Sequence, residues 1–345
     1  MGMTPYYIML LFILACVFTY RDNMSDKNKN RLLIISLLPM FCLLAFKSET
    51  MGADTSTYSR MFVEAGDNLN FESRIELGYQ YTVILLNRFF GSSQSLYIFS
   101  ALVICSSLYI FIKRTANNYP LALYFFATMG FFQFSMSGIR QALSIAIILF
   151  SFPFIQKKRR LYFLAIIAFA FLFHKSAFFF IPMYWIMNMQ VNKKNLTYMV
   201  LGMVSVYFLA EPFMLTAADM LNYDYGIEST GNGYIFMFIV LLITILCYRN
   251  RDVLMDIKKT NSYLINANYA SLVLWIIRLI SRTAERLSLF FMPYTYVALE
   301  QYLSSRPANN KKLYIMIAVL IAGYLFVHRM APSEDLNNFT FYWQQ

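Results

Sequence analysis

The 345-residue chain is short of charge. Asp, Glu, Lys and Arg together make up 14% of it, whereas a soluble domain carries about a quarter. A surface wetted on all sides is therefore excluded. Histidine is scarce, with two residues, and cysteine little better, with four. Cys16, Cys42, Cys105 and Cys247 all lie inside apolar runs, with no CxxC or Cys/His ligand spacing. They leave the redox compartment unread and argue against a structural zinc. No Walker A loop, no GxGxxG and no repeat of about 20–50 residues is present. No small-residue cleavage site follows the first apolar run, which is expected to stay as a helix.

What the chain has in quantity is apolar surface. Apolar residues are 59% of it, with 34 Phe, 26 Tyr and 21 Met. Apolar runs of 16–20 residues recur from end to end, which is the signature of membrane-spanning helices. The fold class expected is all-α: a polytopic membrane protein, one integral domain over 1–345. The net charge of +11 does not point to nucleic acid. The basic residues sit in short clusters between apolar runs, where the positive-inside rule puts them.

The pattern predicts twelve helices, at 4–20, 32–47, 94–112, 120–137, 139–156, 161–173, 176–189, 196–210, 234–248, 262–280, 287–303 and 313–328. The stretch 76–92, "ELGYQYTVILLNRFFGS", is long enough to tempt a thirteenth. Charge decides against it. With 76–92 on the surface as an amphipathic helix, 19 of the 29 Lys and Arg fall on one side, as the rule requires. Both termini, the segment 48–93 and the loop 211–233 then lie outside. Most acidic residues gather on that outer side too.

So do the charges that cytoplasmic anchoring does not use. Arg140 stands alone in "FSMSGIRQALSIAIILFS"; burying a guanidinium is costly. It follows Gly138 and opens a helix, with Gln141 beside it. A helix N-terminus favours anions and an arginine fork fits a phosphate; snorkelling to headgroups is the plainer reading. Asp54 precedes Thr55, Ser56, Thr57 and Tyr58 and reads either as a helix cap or as a sugar-binding or general-base carboxylate. His174, in "FHKSAFFF", is a cap or interfacial residue on one reading, and a proton acceptor or a donor to a phosphate oxygen on the other. Arg278, Arg282, Glu285 and Arg286 recur at i, i+4, i+7 and i+8, and on one helix would share a face. They read as a headgroup anchor or as a pyrophosphate clamp, for which a planar, permanently charged fork is suited. Tyr223 and Tyr225, in an acidic outer loop, fit sugar stacking or an ordinary interfacial belt.

In order, "ADTSTYSRMF", "ELGYQYTVILLNRFFGSSQSLYIFSAL", "GIRQALSIAIILF" and "FHKSAFFFIPMYW" resemble the EpsG-like branch of the Wzy-type bacterial polysaccharide polymerases, over about residues 45–190. Arg140–Gln141 with His174–Lys175–Ser176 is the most specific part. The segment before the Asp-Tyr stretch, "FKSETMGADTSTY", carries Lys47 where the family usually has an arginine. The resemblance implies a membrane glycosyltransferase with GT-C-like architecture at the outer face of the bacterial plasma membrane. It joins oligosaccharide repeat units carried on undecaprenyl pyrophosphate and needs no nucleotide sugar and no cofactor. Its partners are that lipid-linked oligosaccharide, membrane lipids and a chain-length regulator, with no nucleic acid. Arg140, Arg278 and Arg282, with Arg286 behind them, would hold the departing pyrophosphate. His174 or Asp54 would take the acceptor proton. Tyr58, Gln141, Glu285, Tyr223 and Tyr225 would contact substrate, and the amphipathic 76–92 would help form a lipid entrance. A flippase for lipid-linked oligosaccharide and a ligase to another lipid are the alternatives. Transporter sites lie near the midplane, often within internal repeats, whereas these residues gather at one face.

Overall fold

The computed structural model describes residues 2–67, 75–221, 233–279 and 283–344. Its helices are α1 (Thr4–Thr19), α2 (Asp26–Ala45), α3 (Thr55–Asp67), α4 (Leu77–Phe90), α5 (Gln94–Thr115), α6 (Tyr119–Thr128), α7 (Phe131–Ser137), α8 (Ile139–Leu149), α9 (Phe152–Gln156), α10 (Arg160–Phe171), α11 (Met183–Met187), α12 (Lys193–Leu221), α13 (Tyr234–Arg249), α14 (Arg251–Ile257), α15 (Asn261–Ile277), α16 (Thr283–Ser288), α17 (Met292–Ser304) and α18 (Ala308–Met330). Among the described residues the only β pairing is one isolated bridge, Lys47 with Phe341. The all-α class holds.

Among the described residues, four stretches are long and apolar enough to cross a membrane: α2, α5, Ile139–Gln156 and α18. The pair α13–α14, bent by 73°, makes a fifth if it is one span. The exposed side chains of α18 show why this is a membrane protein. Leu313, Met316, Ile317, Leu320, Ile321 and Tyr324 stand outward, an apolar stripe at helical spacing that water would penalise and lipid accepts.

Several runs expected as single helices are broken. The run 120–137 divides into α6 and α7 at Gly130, whose φ of +106° suits glycine. Its Cα also lies against the Arg329 guanidinium, where a Cβ would sit 2.7 Å from Nη1. The run 176–189 becomes a 3₁₀ turn, Lys175–Phe180, and the five-residue α11. The stretch 76–92 forms α4, 14 residues long and so about 21 Å, short of the roughly 30 Å hydrocarbon layer. Leu77, Tyr81, Leu85 and Phe89 are exposed along it while Tyr79, Val83 and Leu86 are buried. The first eleven residues of the expected loop 211–233 belong to α12.

The contacts divide the chain into two compact units. The first is Met1–Phe154, Arg159–Phe178 and Pro307–Gln345; the second is Ile155–Lys158 and Phe179–Arg306. The first is built on α2, α5, α6 and α8, with α3 and α4 packed together at one end. Asn118 opens α6 by accepting the Leu121 N–H, and Pro120 occupies its first turn, where a missing N–H costs nothing. The first unit's C-terminal tail pairs with the segment that follows α2. Ser48 N–H donates to the Thr340 carbonyl (2.9 Å), Tyr342 N–H to Phe46 (3.1 Å) and Gly52 N–H to Asp335 (3.1 Å). The second unit packs α15 against α13, α17 and α11.

Candidate active site

Every residue of α8 except Arg140 is buried. That exception sits in the first turn, just after the non-helical Gly138. Its guanidinium is answered by Glu76, 64 residues earlier: Nη1 donates to Oε2 at 2.6 Å. The carboxylate is itself held, because Oε1 accepts the Lys175 backbone N–H at 3.2 Å. A charge-assisted pair of this kind, with the second oxygen satisfied by the main chain, is strongly oriented.

Glycine makes that meeting feasible. Gly78, two residues after Glu76, donates its N–H to the Leu172 carbonyl at 2.8 Å. A Cβ at Gly78 would lie 2.8 Å from Leu172 backbone and side-chain atoms. The start of α4 therefore touches the end of α10 directly, which carries Glu76 to Lys175 and places it beside His174.

His174 lies half-buried at the start of the 3₁₀ turn. Its Nδ1 accepts the Ser176 N–H at 3.3 Å and also meets the Ser176 hydroxyl. With Nδ1 engaged as an acceptor, the neutral ring carries its proton on Nε2. Gln141 is buried next to Arg140.

The third part of the site comes from the segment around α3. Helix α3 begins directly after Asp54, whose carbonyl accepts the Tyr58 N–H; Asp54 itself is exposed. Tyr58 is buried with its ring 5.7 Å from that of Tyr79. The Arg140 guanidinium is within hydrogen-bonding reach of its hydroxyl. Burial pushes the Tyr58 phenol above its ordinary value; Arg140 opposes that and Asp54 adds to it. Burial likewise pushes Tyr79 well up, helped by Tyr58. Both phenols are therefore neutral hydrogen-bonding groups at physiological pH. The Tyr79 hydroxyl and the Arg140 Nε are buried without a hydrogen-bond partner, leaving two polar atoms of the cluster unused, which is uncommon in a folded interior.

Lys47 sits behind this cluster, 1% exposed. Its ammonium donates to the carbonyls of Met51 (3.2 Å) and Met136 and to Thr55 Oγ1 (3.1 Å), and lies 5.0 Å from the Tyr97 ring. Burial pulls its pKa down to about 7, with Asp54 opposing.

The second unit holds the other arginines. The expected one-helix stripe does not form: α15 ends at Ile277, Arg278 caps it, and Glu285 and Arg286 belong to α16. A pair forms nonetheless, with Arg278 Nε donating to Glu285 Oε2 at 2.7 Å. Arg286 is exposed. Arg282, Tyr223 and Tyr225 lie outside the described residues. Ile277 and Ala284, the chain neighbours of Arg278 and Glu285, help line an apolar groove of about 580 Å³ together with Met183, Met199, Met203 and Val273. Among the described residues no group of three or more His, Cys, Asp or Glu could hold a metal ion.

The structure thus brings Arg140, Tyr58, His174 and Gln141 into the first unit, with Asp54 exposed at the start of α3. It adds Glu76, Tyr79 and Lys47, which sequence reasoning did not place in the site. Glu76 and Lys47 carried one usable signal, a charge in a weakly charged chain. The family model for the EpsG family matches residues 30–342. No curated protein and no solved structure matches the chain. The chain belongs to the EpsG family, and so is a membrane protein of polysaccharide biosynthesis of the polymerase type.

Proposed function

From membership of that family, we propose that the protein is a glycosyltransferase that polymerises undecaprenyl-pyrophosphate-linked oligosaccharide repeat units at the outer face of a bacterial plasma membrane. A twelve-span, GT-C-like arrangement with a chain-length regulator as partner belongs to the same proposal. The observation that carries it is the Arg140 cluster: one charged, aromatic, hydrogen-bonding group drawn from segments near residues 54–58, 76–79, 140 and 174. An apolar groove lined by the chain neighbours of an arginine–glutamate pair supports a lipid-borne substrate.

In this reading an acceptor hydroxyl attacks the anomeric carbon of the donor sugar. The bond from that carbon to the pyrophosphate oxygen breaks, and the lipid pyrophosphate leaves with the charge. Arg140 is the electrostatic partner of that charge, its position fixed by Glu76 and Tyr58. Fixed donors aimed at developing charge lower the barrier by about 3–4 kcal/mol each. His174, with Nδ1 occupied, serves better as an Nε2–H donor to a phosphate oxygen than as a base. The exposed carboxylate of Asp54 is then the group that takes the acceptor proton. Tyr58 and Gln141 orient the sugars. In the second unit, Arg278, Arg282 and Arg286 are the residues proposed to recognise lipid pyrophosphate; Glu285, Tyr223 and Tyr225 are the proposed substrate contacts.

The test is a strain that supplies the matching repeat unit and lacks its own polymerase. The wild-type chain should restore a glycan ladder, and Arg140→Ala at equal membrane abundance should collapse it to single units. Single units stranded on the inner face without the protein would mean a flippase; single units on a different lipid, a ligase.

A further inference from the structure

We propose that Lys47 is the positioning residue of this site: it ties the loop before α3 to the end of α7 and thereby holds Tyr58 against Arg140. The inference rests on the Arg140 cluster being the active site.

The geometry is a three-point clamp. Two of its acceptors, the Met51 carbonyl and Thr55 Oγ1, flank the turn into α3, and Tyr58 follows one helical turn later. The third, the Met136 carbonyl, lies on α7, and Arg140 is four residues further on. Gly52 completes the joint. Its φ is +103°, and a Cβ there would stand 2.7 Å from the Met136 carbonyl oxygen and from Ser137 Oγ. The two backbones therefore touch at Gly52 and are bonded together by Lys47 alongside it. A surface lysine would be interchangeable; this one is buried and spends every donor on main chain or Thr55. None of the ion pairs among the described residues includes it.

The clamp works with either protonation state, and the two differ in cost. The ammonium has three N–H donors for three acceptors. The neutral amine keeps two donors for the two carbonyls, and Thr55 Oγ1 stays in place through its own donation to the Met51 carbonyl at 2.7 Å. Desolvation favours the neutral form. The charged and titratable groups around it are Asp54 at the start of α3, the Tyr97 phenol on α5, and the exposed Glu49 and Asp335 on the loop and the terminal tail; α7 presents only the Met136 carbonyl. In an open joint Lys47 would be hydrated, with its ordinary value of 10.5; in the closed joint it is about 7. The open form then binds more protons between those values. The closed joint gains stability as pH rises from about 7 towards 10.5, and has lost that gain at and below about 7.

Hydrogen exchange on the purified full-length protein, corrected for intrinsic rates, tests this without needing catalysis. Peptides covering 51–58 and 136–142 should be better protected at pH 8.5 than at pH 6. Lys47→Met, of similar length and without the amine, should lower protection in both and abolish the pH difference. Thr55→Val is a milder second variant that removes one acceptor and should give a partial loss. In the ladder assay Lys47→Met should reduce polymer by about tenfold to a hundredfold at equal abundance, the scale of a misplaced group, and flatten the rise through pH 7. The comparison between wild type and variant is the diagnostic. Wild-type protection in both variants would overturn the clamp. Protection lost as expected, with no ladder even from the wild type, would leave the clamp standing and remove the polymerase reading.

Discussion

Arg140 and Arg278 each meet one glutamate, at 2.6 and 2.7 Å, yet the two pairs are built inside out relative to each other. At Arg140 the carboxylate is the inner partner: the Glu76 side chain is 3% exposed and the arginine 22%. At Arg278 the guanidinium is inside at 7% and Glu285 faces outward at 34%. Glu76 comes from 64 residues away and is held by a second bond from the Lys175 backbone, whereas Glu285 is seven residues from its partner. The first pair therefore presents a positive group outward from a rigid, compensated base. The second buries its positive charge behind a carboxylate. An anion can approach Arg140 with its counter-charge behind it; at Arg278 it must first meet or displace Glu285. Under the proposed function, this difference fits chemistry at the Arg140 pair and recognition at the Arg278 pair.

The widest separation between the pairs should come from removing the carboxylates. Glu76→Gln takes the counter-charge from the partly exposed Arg140 and weakens the buried acceptor of the Lys175 N–H, and breaking such a largely buried pair costs about 3 kcal/mol. Reduced thermal stability in detergent and a lost ladder are expected together. Glu285→Gln should cost less, about 1 kcal/mol, because the carboxylate is partly exposed and shared with water and the glutamine amide oxygen still accepts from the buried Arg278. It should also leave the ladder largely in place, or lengthen it if Glu285 screens Arg278. Equal losses from the two substitutions, read by the same melting and ladder assays, would break the comparison.

How much of this was legible beforehand follows from the range of the contacts. The apolar runs announced α2, α5, α8 and α18, since spanning helices are local and need only composition. The lone charge of Arg140 in an apolar run marked it as requiring a partner. The partner was not legible: no periodicity links residue 140 to 76, and the meeting depends on Gly78 packing on Leu172, which as sequence is one glycine in "ELGYQY". Lys47 read as a missing arginine because its three acceptors are mostly backbone carbonyls, which leave no trace in side-chain patterns. The stripe at 278, 282, 285 and 286 misled in the opposite way. Its spacing matches a helix, but the chain closes α15 at Ile277 and starts α16 at Thr283, so tertiary packing overrode a correct local period.

The smallest expected effect on stability sharpens the second half of the comparison. If the second unit serves recognition, the apolar groove lined by Ile277 and Ala284 is where a lipid chain lies, and it should be blockable without touching a charge. Gly202 lies in the groove wall on α12, and a Cβ there meets nothing within 4 Å. Gly202→Leu places a branched side chain in that open space. Inside a helix, leucine is favoured over glycine by roughly 0.5–1 kcal/mol, so melting temperature and membrane abundance should hold or rise slightly. Polymer yield should nevertheless fall, and it should fall further when the repeat-unit donor is limiting than when it is in excess, the mark of lost substrate binding with the chemical step intact. A variant as stable as wild type with unchanged yield at limiting donor would empty the groove of any part in substrate recognition. The Arg278–Glu285 pair would then be a structural bond, and the Arg140 cluster would carry both binding and chemistry.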